Sequence, residues 1–299
     1  MMKTLIAAGS AAALLMTTGV LGAAPAAAAP DRAPDRGPVR STDLRVMSFN
    51  IHHGADGDDV LDLERTAAVI EASGAEVIGL QEVDDGWSSR SDFEDQAARL
   101  AEFLGMHYAY GANLDVAPAE GRTGNSRYGN AILSEHPIID AENHLLTSIE
   151  YTEQPTEQRG LLEAVINVKG HHIGFYSTHL DHQRAEQREL QAREIAQIAG
   201  ESRRPAVVVG DLNAEPGAPE LRGLFEVFTD TFAALGQDDA YTFAPDGAPV
   251  EDASLRIDYV LVSEGVRPQA AHVVRTSASD HLPIVADLRI PRSPNGLVR

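Results

Sequence analysis

Apolar residues recur along this chain in short runs that end abruptly on polar side chains. Residues 44–51 (Leu-Arg-Val-Met-Ser-Phe-Asn-Ile) alternate and then become continuously apolar, which predicts a buried strand. His52-His53-Gly54 and a loop rich in Asp and Gly follow, through Asp59. Leu61, Leu63, Ala67, Ile70 and Ala72 suggest a helix, and Gly74 supplies its stop. Residues 77–80 form a compact strand running directly into Gln81-Glu82, and a second helix is expected over 93–104, closed by Gly105. The middle of the chain changes character, with strands at 130–133, 138–139, 161–168 and 172–178 and a hairpin turn at Lys169-Gly170. A long helix is expected over 183–199, its apolar side carried by Ala185, Leu190, Ile195 and Ile198. Strands at 206–209, 258–262 and 283–290 complete the pattern. Strands mixed with helices, and hairpins in the middle, predict an α/β or α+β architecture of two packed sheets with helices outside. No short-period repeat interrupts it.

The first residues stand apart. Lys3, an apolar run over 5–21 and the alanine-rich segment 23–29 have the layout of a secretory signal peptide. Gly9, Ser10, Thr17, Thr18 and Gly19 break the run, making it a poor spanning helix. Cleavage is expected after Ala28, because a cut after Ala29 would leave Pro30 directly behind the scissile bond. No twin arginine precedes the run, which favours the general secretion route. Residues 29–42, rich in Pro, Asp and Arg, predict a flexible linker. One domain is expected over 43–291, with a short tail at 292–299. The expectation is an extracellular monomer with no stable membrane span.

Composition narrows the chemistry. Cysteine is absent from the 299 residues, which excludes thiolate zinc sites and thiol nucleophiles. A domain of this length can be held by its core without disulfides. The net charge of −21, from 24 basic and 45 acidic residues, repels polyanions at long range. This counts against tight nucleic-acid binding through a basic surface, although a local basic groove or a bound cation would still admit a phosphate.

The strand ends carry the functional signal. Asn50, Glu82, His179, Asp211 with Asn213, Asp258, and Asp280-His281 all sit where an apolar strand stops or starts. Residues from several strand ends can converge on one sheet edge. Asp, Asn, Glu and His together suit a hard divalent cation combined with acid–base chemistry. Glu82 can hold Mg²⁺, and the amide oxygen of Asn50 can assist without adding charge. Histidine as a residue type titrates near neutrality, and His281 preceded by Asp280 supplies an imidazole and a carboxylate to hold its ring, provided the loop turns the two together.

These segments resemble the endonuclease/exonuclease/phosphatase superfamily of DNase I-like phosphoesterases. The matching stretches are Ser48-Phe49-Asn50-Ile51, Leu80-Gln81-Glu82-Val83, Tyr128-Gly129-Asn130-Ala131-Ile132-Leu133-Ser134, Ser177-Thr178-His179-Leu180, Gly210-Asp211-Leu212-Asn213, Arg256-Ile257-Asp258-Tyr259-Val260 and Ser279-Asp280-His281. Each is weak alone, but all seven occur in family order. The resemblance implies an α+β fold, a four-layer α/β/β/α sandwich of two mixed sheets flanked by helices, with the site at one edge. It implies Glu82 as principal ligand of Mg²⁺ (Mn²⁺ as substitute), assisted by Asn50. His281 would activate water, oriented by Asp280; His179 would bind phosphate and Asn213 would stabilise the pentavalent centre. Asp211 would position the nucleophile or protonate the leaving group, and Asp258 would support the metal region or a catalytic histidine. Arg159, Tyr128 and Asn130 are the candidate substrate contacts, and 111–127 and 147–159 the candidate specificity segments. The implied activity is hydrolysis of a phosphodiester or phosphomonoester; the resemblance does not carry over the substrate, and the expected export and strong acidity favour a small or lipid-derived one. The alternatives are a secreted nuclease acting on DNA or RNA, and a non-catalytic binding protein on the same scaffold.

Several of these residues admit plainer readings. Asp211-Leu212-Asn213 fits an Asx turn. His52-His53 reads as a solvated loop pair, and residues 56–59 as a solvated acidic loop without the spacing of a calcium-binding helix–loop–helix. Arg159 fits a surface salt bridge as well as a substrate contact, and Trp87 beside Arg90 offers one aromatic for stacking.

Overall fold

A computed structural model describes residues 41–153 and 155–291. The leader expected over 1–28, residues 29–40 of the linker and the tail at 292–299 lie outside the described residues. Ser41 and Thr42, expected to close the linker, are instead the first residues of a strand, paired with Pro291 and Ile290.

Among the described residues there are twelve strands: β1 (Ser41–Asn50), β2 (Val77–Asp85), β3 (His107–Val116), β4 (Ser126–Ser134), β5 (Ile138–Leu145), β6 (Gly160–Val168), β7 (His171–His179), β8 (Ala206–Asp211), β9 (Thr229–Asp230), β10 (Asp258–Val262), β11 (Arg267–Val273) and β12 (Ile284–Pro291). They form two six-stranded sheets, ordered β11-β12-β1-β2-β4-β3 and β5-β6-β7-β8-β10-β9. Each sheet is mixed, with one parallel pair (β1 with β2, β7 with β8) among antiparallel neighbours.

Three apolar clusters account for four layers. Leu44, Val46, Val77 and Ile132 of one sheet meet Leu162, Phe175, Val209 and Val260 of the other. Alternation sends the intervening side chains outward. Met47, Phe49, Ile78 and Leu80 therefore pack against helices α1 (Leu63–Ser73) and α2 (Gln96–Leu104) through Ile70 and Leu100. On the opposite face Tyr176, Val208 and Leu261 pack against α3 (Ala185–Gly200) through Ala192 and Ile195, and against α4 (Arg222–Phe225) through Leu224. A further short helix, α5 (Thr231–Ala234), closes the order. The expected four-layer sandwich is observed.

Helix starts differ from the sequence reading. The Asp62 and Asp95 carboxylates accept from the backbone N–H groups of Arg65 and Ala98, so α1 and α2 begin after these caps, two or three residues later than expected. Phe93, expected inside the second helix, has a left-handed φ of 57°. Strand β5 runs six residues beyond the expected 138–139, and β3, β9 and β11 are additional to the predicted set. No helix among the described residues is long and apolar enough to cross a membrane.

The gap between the sheets changes from apolar to polar along its length. On β1 the inward positions read Leu44, Val46, Ser48, Asn50, and on β7 Ile173, Phe175, Ser177, His179. Gln81 Nε2 crosses the gap to Ser177 Oγ at 3.0 Å, and Ser177 Oγ in turn donates to the Leu80 carbonyl at 3.2 Å. Beyond this polar floor lies the site.

Candidate active site

Strand register brings the site side chains together. Asn50 lies beside Gln81, His179 beside Asp211, and Asp211 opposite Asp258. Glu82 is aimed by a local defect: the β2–β4 register shifts between Leu80 and Val83, and Glu82 takes a left-handed φ of 58°. A bulge of this kind turns one side chain out of the regular alternation. Asn50 Nδ2 then donates to Glu82 Oε1 at 3.0 Å and to Asp211 Oδ2 at 3.2 Å, while Asn50 Oδ1 accepts the His52 N–H at 3.1 Å.

Asp211 is the hub. Its Oδ1 accepts the Asn213 N–H at 2.8 Å, the expected Asx turn. Its Oδ2 lies 3.5 Å from His179 Nε2 and 3.6 Å from His281 Nε2. One carboxylate thus closes the turn and faces both imidazoles. Burial, with Asp258 adding to it, pushes the Asp211 carboxyl up to about 7 against the pull of His281.

His281 is held by Asp258, not by Asp280. His281 Nδ1 lies 3.0 Å from Asp258 Oδ2, which fixes Nδ1 as the donor and leaves Nε2 facing Asp211. Burial opposes charging of the ring, but the Asp258 and Asp211 carboxylates overcome it and push His281 up to about 10. Asp280 instead accepts from Ser279 Oγ at 3.2 Å and lies 4.0 Å from His52 Nδ1. Asp280 lies in the bend that precedes His281 and turns toward His52, while the ring of His281 turns toward Asp258. Ser279 Oγ anchors the turn by donating to the Asn50 carbonyl at 2.8 Å and accepting the His281 N–H at 3.1 Å.

His179 completes the floor. Asn213 Nδ2 donates to the Leu180 carbonyl at 3.1 Å and meets His179 Nε2 at 2.9 Å, so the ring proton sits on Nδ1. Among the described residues that buried Nδ1 has no hydrogen-bond partner. Burial, then the neighbouring Arg159 and His281, hold the His179 ring well below its ordinary pKa and so neutral.

The substrate candidates occupy one wall. Arg159 is 2 % exposed, not a surface residue; its guanidinium meets Glu157 Oε1 at 2.9 Å and His182 Nδ1 at 3.0 Å. Glu157 falls within the candidate specificity segment 147–159 without having been singled out, and His182 lies outside every motif. Tyr128 is buried beside Trp87, ring centroids 5.8 Å apart, with the Arg90 guanidinium 5.4 Å from the Tyr128 ring. Asn130 donates to the Gly160 and Ser177 carbonyls at 3.1 and 3.4 Å, tying the two sheets together.

The donor set fits a hard cation. Glu82, Asp211 and Asp258 gather carboxylate oxygens at one end of the gap, and the buried Asp258 Oδ1 has no hydrogen-bond partner among the described residues. Ligand atoms of Asp211, Asp258 and His281 lie within 4.8 Å of one another.

Residues 47–281 match the family model described as the endonuclease/exonuclease/phosphatase family. The chain belongs to this family. Its members hydrolyse phosphoesters and generally depend on a divalent metal. A structure described as an endonuclease/exonuclease/phosphatase from Beutenbergia cavernae is 29% identical, with a TM-score of 0.67 over 83% of this chain and 72% of that one. A mannosyl-6-phosphatase of Bacteroides thetaiotaomicron shares the fold at 19% identity and a TM-score of 0.58, over 82% and 99% of the two chains. Protein cwh43 of Schizosaccharomyces pombe is 31% identical over 164 residues, which take in 54% of this chain and only 15% of the yeast protein.

Proposed function

We propose that this protein is a secreted, Mg²⁺-dependent phosphoesterase of small or lipid-derived phosphodiesters or phosphomonoesters. The observation that carries the reading is the buried line Asp258–His281–Asp211, flanked by His179 and Asn213. Glu82, with Asn50, would hold the cation, which when bound polarises a phosphoryl oxygen and offsets developing charge. Positive charge beside these carboxylates draws the His281 pKa back toward neutrality. His281 Nε2, its ring fixed by Asp258, then takes a proton from the attacking water. Asp211, with a carboxyl that titrates near neutrality, gives a proton to the leaving oxygen. His179 and the Asn213 amide hold the phosphate oxygens.

A small substrate is favoured over a polynucleotide by the pairing at the wall. Arg90 grips Asp84 with two hydrogen bonds of 2.7 and 2.9 Å, and Arg159 is paired with Glu157, so neither offers a free charge to a phosphate backbone. The net charge of −21 acts in the same direction. The leader-like segment over 1–28 supports export.

The test is a substrate panel of bis-(p-nitrophenyl) phosphate, p-nitrophenyl phosphate, inositol- and choline-phosphodiesters and supercoiled plasmid. It is run with Mg²⁺, Mn²⁺, Ca²⁺ or EDTA on the parent and on His281→Ala. Hydrolysis of a small ester by the parent alone, abolished by EDTA, is expected. Plasmid nicking in preference to every small ester would move the reading to a nuclease, and no turnover of any ester by folded, metal-loaded parent would end it.

A further inference from the structure

The residues just past Asn50 form a second constellation that the phosphoesterase chemistry does not use. His52, His53 and Gly54 make a single 3-10 turn in which all three take positive φ, at 45°, 45° and 77°. Such a conformation in two consecutive non-glycine residues persists only where the surroundings over-determine it. They do so here. The His53 carbonyl accepts Gln96 Nε2 at 2.6 Å, the Gly54 carbonyl accepts the Asp62 N–H at 2.9 Å, and a β-carbon on Gly54 would lie 2.9 Å from Leu63 Cδ1. The following loop folds back on itself through Asp56, whose Oδ1 accepts the N–H groups of Asp58 and Val60, and Asp59 ends in a left-handed φ of 59°.

The result is convergence. His52 Nε2 lies 3.7 Å and His53 Nε2 4.0 Å from the same oxygen, Asp59 Oδ1, and the two rings meet edge to face at 4.5 Å. The ligand atoms of all three lie within 4.8 Å of one another. His52 Nδ1 sits 3.3 Å from the Asp56 carbonyl, an arrangement that places the ring proton on Nδ1 and turns the Nε2 lone pair toward Asp59. His53, 5 % exposed, is no solvated loop residue, and among the described residues its Nδ1 has no hydrogen-bond partner. Two imidazole nitrogens and a carboxylate oxygen thus face a common point. With metal–ligand bonds of about 2.0–2.1 Å, the donors of a tetrahedral site stand roughly 3.3 Å apart. The two distances to Asp59 Oδ1, 3.7 and 4.0 Å, exceed that separation by less than an ångström, and Asp59 is exposed.

We propose that His52, His53 and Asp59 bind a borderline transition-metal cation of the Zn²⁺ class, at a site separate from the oxygen-rich centre around Glu82 and Asp211. Two imidazoles with one carboxylate select such a cation over Mg²⁺, which prefers oxygen ligands. Three protein ligands leave a fourth position for water or a ligand oxygen. The site also touches the catalytic floor, because the His52 N–H that holds Asn50 Oδ1 belongs to the same turn. A bound cation would fix this turn and with it the Asn50 carboxamide.

Zn²⁺ titration of the full protein by calorimetry, in excess Mg²⁺ so that the oxygen-rich centre is filled, tests the proposal. Asp59→Asn and His52→Asn are the variants, because asparagine tolerates the left-handed backbone at both positions. The parent is expected to bind Zn²⁺ at the loop and to gain melting temperature. Both variants should lose at least tenfold in affinity and lose the thermal gain, while Asp59→Asn keeps the parent's fold and its Mg²⁺-supported turnover. Zn²⁺ binding of unchanged stoichiometry and affinity in both folded variants, or no binding by the parent, would overturn it. Neither result depends on which phosphoester is the substrate.

Discussion

Replacing Asp258 by Asn removes one carboxylate charge from beside His281 with little change of shape. The consequence can be worked from the geometry. An imidazole held at about 10 against an ordinary 6.5 prefers its proton by about 4–5 kcal/mol, at roughly 1.36 kcal/mol per decade. Burial works against that preference, so the carboxylates supply all of it. Asp258, hydrogen-bonded at 3.0 Å, is nearer than Asp211 at 3.6 Å and contributes the larger part. Loss of about 3 kcal/mol is expected, in line with removing one partner of a buried ion pair. Because the folded-state pKa of His281 is raised, this stabilisation is complete below the unfolded value of 6.5 and is lost as pH rises through about 10. In EDTA, urea unfolding of Asp258→Asn should therefore differ from the parent most near pH 6 and least near pH 10. With Mg²⁺ present, kcat should fall by about 10²–10⁴, because the ring loses the partner that fixes its tautomer. A kcat within tenfold of the parent, together with a stability difference that ignores pH, would refute the assignment of Asp258 as the partner of His281.

Asp280→Asn should reduce kcat far less than Asp258→Asn, since Asp280 bonds Ser279 and faces His52; equal losses in steady-state assays would restore Asp280 as the orienting residue. Glu82→Gln should raise the Mg²⁺ concentration needed for half-maximal rate and lower kcat/KM by about 100-fold or more, read from Mg²⁺ titrations; a near-normal rate would show that the cation is held elsewhere. Gly79→Ala should destabilise by about 1–3 kcal/mol in urea, because its β-carbon would lie 2.2 Å from Val209 Cγ2 across the inter-sheet gap; an unchanged midpoint would mean the sheets are less tightly packed there.

How much of this was legible depended on burial. The strands read from the sequence with little error, such as β1, β6, β7, β8, β10 and β12, lie inside their sheets and bury side chains on both faces. The strands missed altogether, β3, β9 and β11, and the one most truncated, β5, are the four edges of the two sheets, while the interior β2 and β4 were each read five residues short. Edge strands bury the least, so Asp140, Glu142 and Asn143 on β5, or Arg267 and Gln269 on β11, dilute the alternation that would reveal them. The residues that converge at the rim were legible because each motif carries its own side chain. Their pairing was not: the choice of Asp258 over Asp280 as the partner of His281 is made by register, where Asp258 lies opposite Asp211. His53 was misread for the opposite reason, since a polar pair after a strand gives no local sign that Leu63 and Gln96 will close over its turn.

The same topology explains why so many motifs reach one rim. Strands β1 and β2 are parallel, as are β7 and β8, so each pair delivers two C-terminal ends to the same side, carrying Asn50 with Glu82 and His179 with Asp211. Every neighbour of these pairs runs antiparallel and therefore starts where they stop. Strand β4 enters at Tyr128 and Asn130, β6 just after Arg159, β10 at Asp258, and β12 just after Asp280-His281. Each motif thus marks either the end of a parallel strand or the beginning of its antiparallel partner. Toward the other end the inward side chains include Leu44, Ile166 and Val262, and an unpaired polar side chain in their place would lose its hydration without relief. Placement at the shared rim is thus required by folding as much as by chemistry, and it lets one gap serve as core at one end and as reaction site at the other.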